Sequence, residues 1–301
     1  MDRQEIEFVK GALEEYRLFF EGYLSSSVTL RKKGVPQKLH EAMEYSLNAG
    51  GKRVRPALCI AAAERCGCLR QDALPMALGI EMLHTATLIH DDLPCMDDDD
   101  LRRGKPSNHA VFGETLAVLA GDALLAMSVE FPLANSKNIK PERLIRAMQI
   151  FTGAIGPSGV CGGQVLDMDT SQAAADPDYV RHVAELKTGA LIRASVLSGA
   201  ALGSEDEQTL CCYYDYGTHL GAAFQIVDDI LDVTSSAKEL GKTPGKDKDQ
   251  GKINYVLAFG LEGARGIALQ ESALAKESVA KILPEDDFLV RLPDYLAERT
   301  H

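Results

Sequence analysis

Apolar residues recur along most of the chain at intervals of three and four. Ile6, Val9, Leu13, Tyr16 and Phe20 form one stripe, which predicts a first amphipathic helix. Pro36 suits the first turn of a second helix, on which Leu39, Met43 and Leu47 share a face. Alanine-rich stretches at 57–63, 117–126, 190–201 and 220–233 are strong helix formers. Alternating β-branched runs are scarce, and neither the dinucleotide-binding nor the P-loop glycine signature occurs. The uncharged stretch 147–166 carries Gly153, Gly156, Pro157, Gly159, Gly162 and Gly163. It predicts helices interrupted or closely packed at glycine, not a membrane span. Segments 101–110 and 241–252 are rich in glycine, proline and cations and read as loops. No low-complexity linker divides the chain, so the pattern predicts one all-α domain over residues 1–301.

Two helical patterns end in acid. Leu88-Ile89 leads into Asp91-Asp92-Leu93-Pro94-Cys95-Met96-Asp97-Asp98-Asp99-Asp100, and Phe224–Val227 leads into Asp228-Asp229-Ile230-Leu231-Asp232. A carboxylate in apolar surroundings is unfavourable unless it is paired or holds a metal. On the second segment Gln225, Asp228 and Asp232 share one face, beside a stripe of Leu220, Phe224, Val227 and Leu231. A solvated face would mix lysine with glutamate; clustered aspartates repel one another without a counter-cation, and oxygen ligands favour a hard ion such as Mg²⁺. In the first segment Pro94 lacks an amide hydrogen, so a bend there can bring Asp91 and Asp97 together. A surface calcium trap or solvated turn is the alternative, although the spacing is not that of an EF-hand. His84, Leu88 and Asp91 fall on one face, which makes His84 either structural or part of a site. Leu-Ile-His-Asp-Asp-Leu and Gln-Ile-Val-Asp-Asp-Ile also echo one another, each followed by a basic loop.

The net charge is −12, which argues against a nucleic-acid partner, and the 46% apolar content excludes disorder. An acidic protein that binds an anionic substrate needs metal ions between its aspartates and that substrate. Direct anion contacts would come from the cations. Gly50-Gly51-Lys52-Arg53-Val54-Arg55-Pro56 packs three of them into a glycine-bounded turn before a helix, a setting that suits a diphosphate. Arg102-Arg103, Lys187-Thr188, Lys242 and Lys252 add to the set. Singly each reads as a surface charge; together they suggest two anion sites, one held through metal and aspartate, the other by arginine and lysine directly. The seven cysteines, 59, 66, 68, 95, 161, 211 and 212, fit no zinc spacing and read as reduced, mostly buried thiols of a cytosolic protein. The acidic, amphipathic start is unlike a secretory signal, and the expectation is a soluble, cytoplasmic protein without stable membrane insertion.

These motifs, in this order, resemble the trans-isoprenyl diphosphate synthases, the family of farnesyl and geranylgeranyl diphosphate synthases. The resemblance spans nearly the whole chain: Gly50–Pro56, Leu88–Pro106, Gly162-Gly163-Gln164, Lys187-Thr188-Gly189, Phe224–Asp232 and the lysine loop to Lys252. It implies antiparallel helices around a deep central cavity, a homodimer, and Mg²⁺-assisted condensation of isopentenyl diphosphate with dimethylallyl, geranyl or farnesyl diphosphate. Three Mg²⁺ ions are implied, for which Mn²⁺ can substitute. Asp91 and Asp97, with Asp92 in support, resemble the metal ligands of the first motif. Asp228, with Asp229 and Asp232 supporting or acting through water, resembles the second. By the same resemblance Arg102, Lys187 and Lys242 grip the allylic diphosphate. Lys52, Arg55, His84 and Arg103 hold isopentenyl diphosphate, Thr188 and Gln225 face the developing cation, and Lys252 closes the site.

Ala86 and Thr87 precede Asp91 by five and four residues, which places them roughly 6–8 Å below the metals on a helix. Both are small where farnesyl-producing relatives often carry an aromatic floor, so geranylgeranyl diphosphate is the expected product and farnesyl diphosphate the alternative. Met82 and Leu83 are candidates for the next floor, or ordinary core. After Lys252 the run Ile253-Asn254-Tyr255-Val256 departs from the family's usual small residue, Tyr or Leu, then Pro. A terpene cyclase would not need the Lys52, Arg55 and Arg103 set, a non-catalytic partner subunit tends to lose an aspartate motif, and a calcium buffer leaves the cationic loops unexplained.

Overall fold

The computed structural model describes residues 1–26, 34–169, 176–234 and 254–298. The helices are α1 (Arg3–Ser26), α2 (Gln37–Leu47), α3 (Val54–Arg65), α4 (Arg70–Asp91), α5 (Asn108–Phe112), α6 (Glu114–Asn135), α7 (Pro141–Ile155), α8 (Val160–Asp167), α9 (Pro177–Ala184), α10 (Ala190–Gly203), α11 (Glu207–Thr234), α12 (Tyr255–Ala280) and α13 (Phe288–Glu298). The protein is all-α. Segment 101–110 corrects the loop expected from its composition: Leu101–Arg102 (β1) and Lys105–Pro106 (β2) form a small antiparallel hairpin, and α5 begins at Asn108. The physical reason lies in the turn. Arg103 (φ 54°) and Gly104 (φ 75°) are both left-handed, as tight two-residue hairpins demand.

The predicted stripe of α1 buries Val9, Tyr16 and Phe20. α4 is buried on nearly every side from Ala73 to Leu83, the signature of a helix surrounded by others. α6 packs on α4 where Gly79 meets Ser128 and Pro132, and α10 packs on α3 where Gly199 meets the backbone of Cys59. The glycine-rich stretch behaves as its composition predicts, since α7 stops at Ile155 and α8 restarts at Val160. α9 begins at Pro177 behind Asp176, whose carboxylate accepts from the Asp178 amide at 3.0 Å. Asn254 caps α12 in the same way, accepting from the Leu257 amide at 2.8 Å.

The buried apolar residues form a large cluster running from α1 to α13, and a smaller one that joins Val180 and Ala184 to Ile226, Ile230, Tyr255 and Ala264. Both clusters contribute to the walls of one cavity. The thiols are less buried than expected: all seven are free, only Cys59 is buried, and Cys95, Cys161 and Cys211 are exposed. Helical periodicity does not tell which side of a cysteine faces a neighbour. Loop 241–252, with Lys242 and Lys252, lies outside the described residues, as does Ile253.

Candidate active site

The cavity has a volume of about 1060 Å³, at the top of the roughly 300–1,000 Å³ usual for small-molecule sites. Its lining combines charged and polar residues with apolar ones such as Leu83, Leu125, Ile155 and Phe224, and the polar residues come from several elements.

The first wall is the end of α4. Asp91 is its last helical residue. Beyond it the chain folds back at Pro94: the Asp97 amide donates to the Asp91 carbonyl at 2.9 Å, and the Asp99 amide donates to the Asp92 carbonyl at 3.2 Å. The turn leaves both Asp91 and Asp97 lining the cavity, as the proline suggested. Burial pushes the Asp91 carboxyl up to about 6, against the pull of Lys187. Asp92, expected in support of Asp91 and Asp97, does not line this cavity. It is 2% exposed, and one carboxylate oxygen accepts from both Nε (2.8 Å) and Nη2 of Arg102. Successive helical residues point about 100° apart, so when Asp91 faces inward Asp92 turns behind the wall and anchors Arg102. Arg102 itself does line the cavity.

The facing wall is α11, where Gln225, Asp228, Asp229 and Asp232 all line the cavity. Asp228 is exposed, whereas Asp229 and Asp232 are buried. Asp229 already accepts two hydrogen bonds, from Gln225 Nε2 at 2.7 Å and from the Tyr255 amide at 2.8 Å. Gln225 Oε1 in turn accepts from the Thr188 hydroxyl at 2.5 Å. A relay therefore runs from Thr188 through Gln225 and Asp229 to the first turn of α12. Because a carboxylate only accepts, Asp229 fixes which end of the Gln225 amide faces Thr188.

Lys187 and Thr188 sit in a π-helical turn, Glu185–Gly189, between α9 and α10. Such a widened turn is common at functional sites, and here both side chains line the cavity. Two glycines admit it. A Cβ at Gly163 would collide with the backbone of Lys187, and one at Gly221 would lie 2.7 Å from the Gly189 Cα. That is the structural content of Gly162-Gly163-Gln164. Gln164 also lines the cavity, and its buried Nε2 lacks a hydrogen-bond partner among the described residues. Lys187 pairs with Asp167, a residue that sequence reasoning missed. Burial draws the lysine's pKa down, but Asp167 and Asp91 outweigh it and the net shift is upward. The signal was available, since Gln164 and Asp167 are three apart and share a helix face.

The third wall is cationic. Lys52, Arg55, His84 and Arg103 line it together. Arg55 Nη1 is 3.4 Å from His84 Nε2, and Arg55 Nε has no hydrogen-bond partner among the described residues. Burial and the adjacent Arg55 hold His84 well below its usual pKa, so the ring is neutral. Burial also lowers the pKa values of Arg55 and Arg103. Guanidinium groups gathered and desolvated in this way favour an incoming anion.

Below Asp91, Ala86 and Thr87 line the cavity, and Thr87 donates its hydroxyl to the His84 carbonyl at 2.9 Å. Of the two deeper candidates Leu83 lines the cavity with Leu125 and Ile155; Met82 is core and does not. Among the described residues no three carboxylate, imidazole or thiol groups converge into a ready-made metal cage. Asp91, Asp97 and Asp228 nonetheless fit Mg²⁺, which takes one or two carboxylates and completes its shell with water and substrate phosphates.

The sequence profile of the polyprenyl synthetase family matches residues 36–283. The chain is 42% identical over 290 residues to a dimethylallyltranstransferase of Fischerella ambigua, covering 96% of this chain and 83% of that protein. It is 45% identical over 279 residues to a chloroplastic geranylgeranyl pyrophosphate synthase of Catharanthus roseus, covering 92% and 77%. A crystal structure of a geranyltransferase from Helicobacter pylori, complexed with magnesium and isoprenyl diphosphate, superposes with a TM-score of 0.81 at 31% identity, over 98% of this chain and 97% of that one.

Proposed function

The chain belongs to the polyprenyl synthetase family, and from that premise we propose that it condenses isopentenyl diphosphate with allylic diphosphates, extending them to geranylgeranyl diphosphate. One observation carries the reading: two aspartate-bearing walls and a separate arginine–lysine wall meet over an apolar pocket. A single bound anion would not require both. Two diphosphates do, one reached through metal and one held directly.

Asp91, Asp97 and Asp228 would hold Mg²⁺. When bound, the metal neutralises the leaving diphosphate and so makes ionisation of the allylic C–O bond accessible. Arg102, fixed by Asp92, and Lys187, fixed by Asp167, bind that same diphosphate. The oxygens of Thr188 and Gln225 face the carbon where positive charge develops, and the relay through Asp229 keeps them oriented. The apolar depth excludes water from the cation. Lys52, Arg55, His84 and Arg103 hold isopentenyl diphosphate so that its double bond attacks. The new carbon–carbon bond takes that electron pair, and the proton then lost passes to the released diphosphate. Lys242 and Lys252 receive their roles from motif position alone.

The open floor at Ala86 and Thr87 supports a long product. α6 supports a homodimer. It is the one helix among the described residues long and apolar enough to span a membrane, yet 39% of that window is buried, and Val118, Leu119 and Leu133 form an exposed apolar set suited to a second copy.

The test is to incubate the protein with Mg²⁺, labelled isopentenyl diphosphate and each allylic primer, then resolve products by length. Geranylgeranyl diphosphate is expected, and a shorter main product from Ala86→Tyr. No prenyl product with any primer would overturn the reading; a farnesyl product from the wild type would correct the length.

A further inference from the structure

We propose that Glu81 is a positioning residue for the isopentenyl diphosphate pocket: one buried carboxylate that holds two arginines in the backbone conformations the pocket requires. The inference rests on the proposed function above and goes further, because Glu81 belongs to no motif that points to that pocket.

Three non-glycine residues among those described have a left-handed backbone: Arg53 (φ 48°), Arg103 (φ 54°) and Asp98 (φ 51°). This region is unfavourable for residues with a side chain, and such residues persist where their surroundings over-determine them. The two arginines come from segments 50 residues apart, the turn before α3 and the β1–β2 turn, yet both converge on Glu81. Glu81 is 1% exposed and lies one turn before His84 on α4. Its Oε1 accepts from Arg53 Nη1 at 2.5 Å and lies 3.9 Å from Arg103 Nη2.

The remaining contacts fix each arginine at its other end. Arg53 donates through Nε to Glu21 at 2.7 Å and through Nη2 to the Leu47 carbonyl at 2.8 Å. Arg103 donates to the carbonyl of Gly50, and a Cβ at Gly51 would lie 2.8 Å from its guanidinium carbon. Glu81 thus ties the Gly50–Arg55 turn to the hairpin that presents Arg103. It also supplies the buried negative charge facing Arg53, Arg55 and Arg103, whose mutual repulsion would otherwise open the pocket. With this carboxylate the cationic wall is preshaped before the anion arrives, which lowers the ordering needed on binding.

A purely structural ion pair between Glu81 and Arg53 would give the same contacts but different kinetics, and two variants separate the cases. Glu81→Gln is expected to raise KM for isopentenyl diphosphate by about tenfold or more, with KM for the allylic primer within about twofold of wild type. The double variant Glu81→Met with Arg53→Met removes the buried pair altogether. It is expected to recover most of the thermal stability lost by Glu81→Gln, yet to keep the raised isopentenyl KM, because Arg103 still lacks its partner. If Glu81→Gln does not fold, the double variant alone decides. A wild-type isopentenyl KM in the folded double variant, or equal increases in both substrates' KM values, would overturn the positioning role. A wild type inactive with every primer would instead overturn the proposed function on which it rests.

Discussion

The pairs Asp91–Asp92 and Asp228–Asp229 are spelled alike and each follows an apolar helix, but their surroundings differ. Asp91–Asp92 closes a helix, and the chain turns back at Pro94 so that Asp97 joins the same wall. Asp228–Asp229 lies within α11, which continues to Thr234. In both pairs the first carboxylate faces the cavity. The second holds something else: Asp92 holds the guanidinium of Arg102, and Asp229 holds the Gln225 amide and the start of α12. The repeated motif is therefore two devices. One fixes a cation for the leaving diphosphate; the other fixes an acceptor relay and the segment that follows. For Asp92 the cause is geometric, since neighbouring residues on a helix point about 100° apart; Asp229 lines the cavity beside Asp228, but its two oxygens already accept from the Gln225 amide and the Tyr255 amide.

The largest expected effect concerns the first member of each pair. Asp91→Ala should lower kcat/KM by about a thousandfold, because a metal ligand supports several kcal/mol of charge stabilisation; steady-state assays at saturating Mg²⁺ measure it. An effect no larger than that of Asp92→Asn would break the distinction. A smaller effect is expected from Asp229→Asn, roughly ten- to hundredfold in kcat. Asparagine offers one acceptor oxygen where Gln225 Nε2 and the Tyr255 amide need two, so either Gln225 flips or the end of α12 is released. Smallest is the pH dependence. The Asp91 carboxyl is raised to about 6 by burial, so it is ionised above that value and protonated below it. A proton competes with the metal, so the Mg²⁺ concentration for half-maximal activity should be flat above about pH 7 and rise by up to about tenfold per pH unit below 6. Activity–Mg²⁺ curves between pH 5 and 8 test this, and a midpoint unchanged across that range would exclude Asp91 as a ligand.

What was legible in the sequence follows from what is local. Helix stripes, the bend at Pro94, the shared face of Gln225, Asp228 and Asp232 and the cationic turn are all set by neighbours within a few residues. The division of roles within each aspartate pair was not legible, because it depends on which side of the helix the cavity lies for Asp92 and on the distant Tyr255 amide for Asp229. Glu81 escaped for a related reason, being an isolated acid whose partner is 28 residues away; Asp167, although it shares a helix face with Gln164, meets a lysine 20 residues on. The π turn at Lys187 was hidden because it requires Gly163 and Gly221 to approach from other helices. The hairpin at 101–106 depends on a left-handed arginine that propensity alone disfavours.

The most direct test of the division compares neighbours on one helix. Mg²⁺ titrations of activity in Asp228→Asn and Asp229→Asn should separate them. Asp228→Asn should shift the Mg²⁺ midpoint upward, whereas Asp229→Asn should lower kcat with the midpoint unchanged. Equal upward shifts in both variants would contradict the account and make the second aspartate a metal ligand like the first.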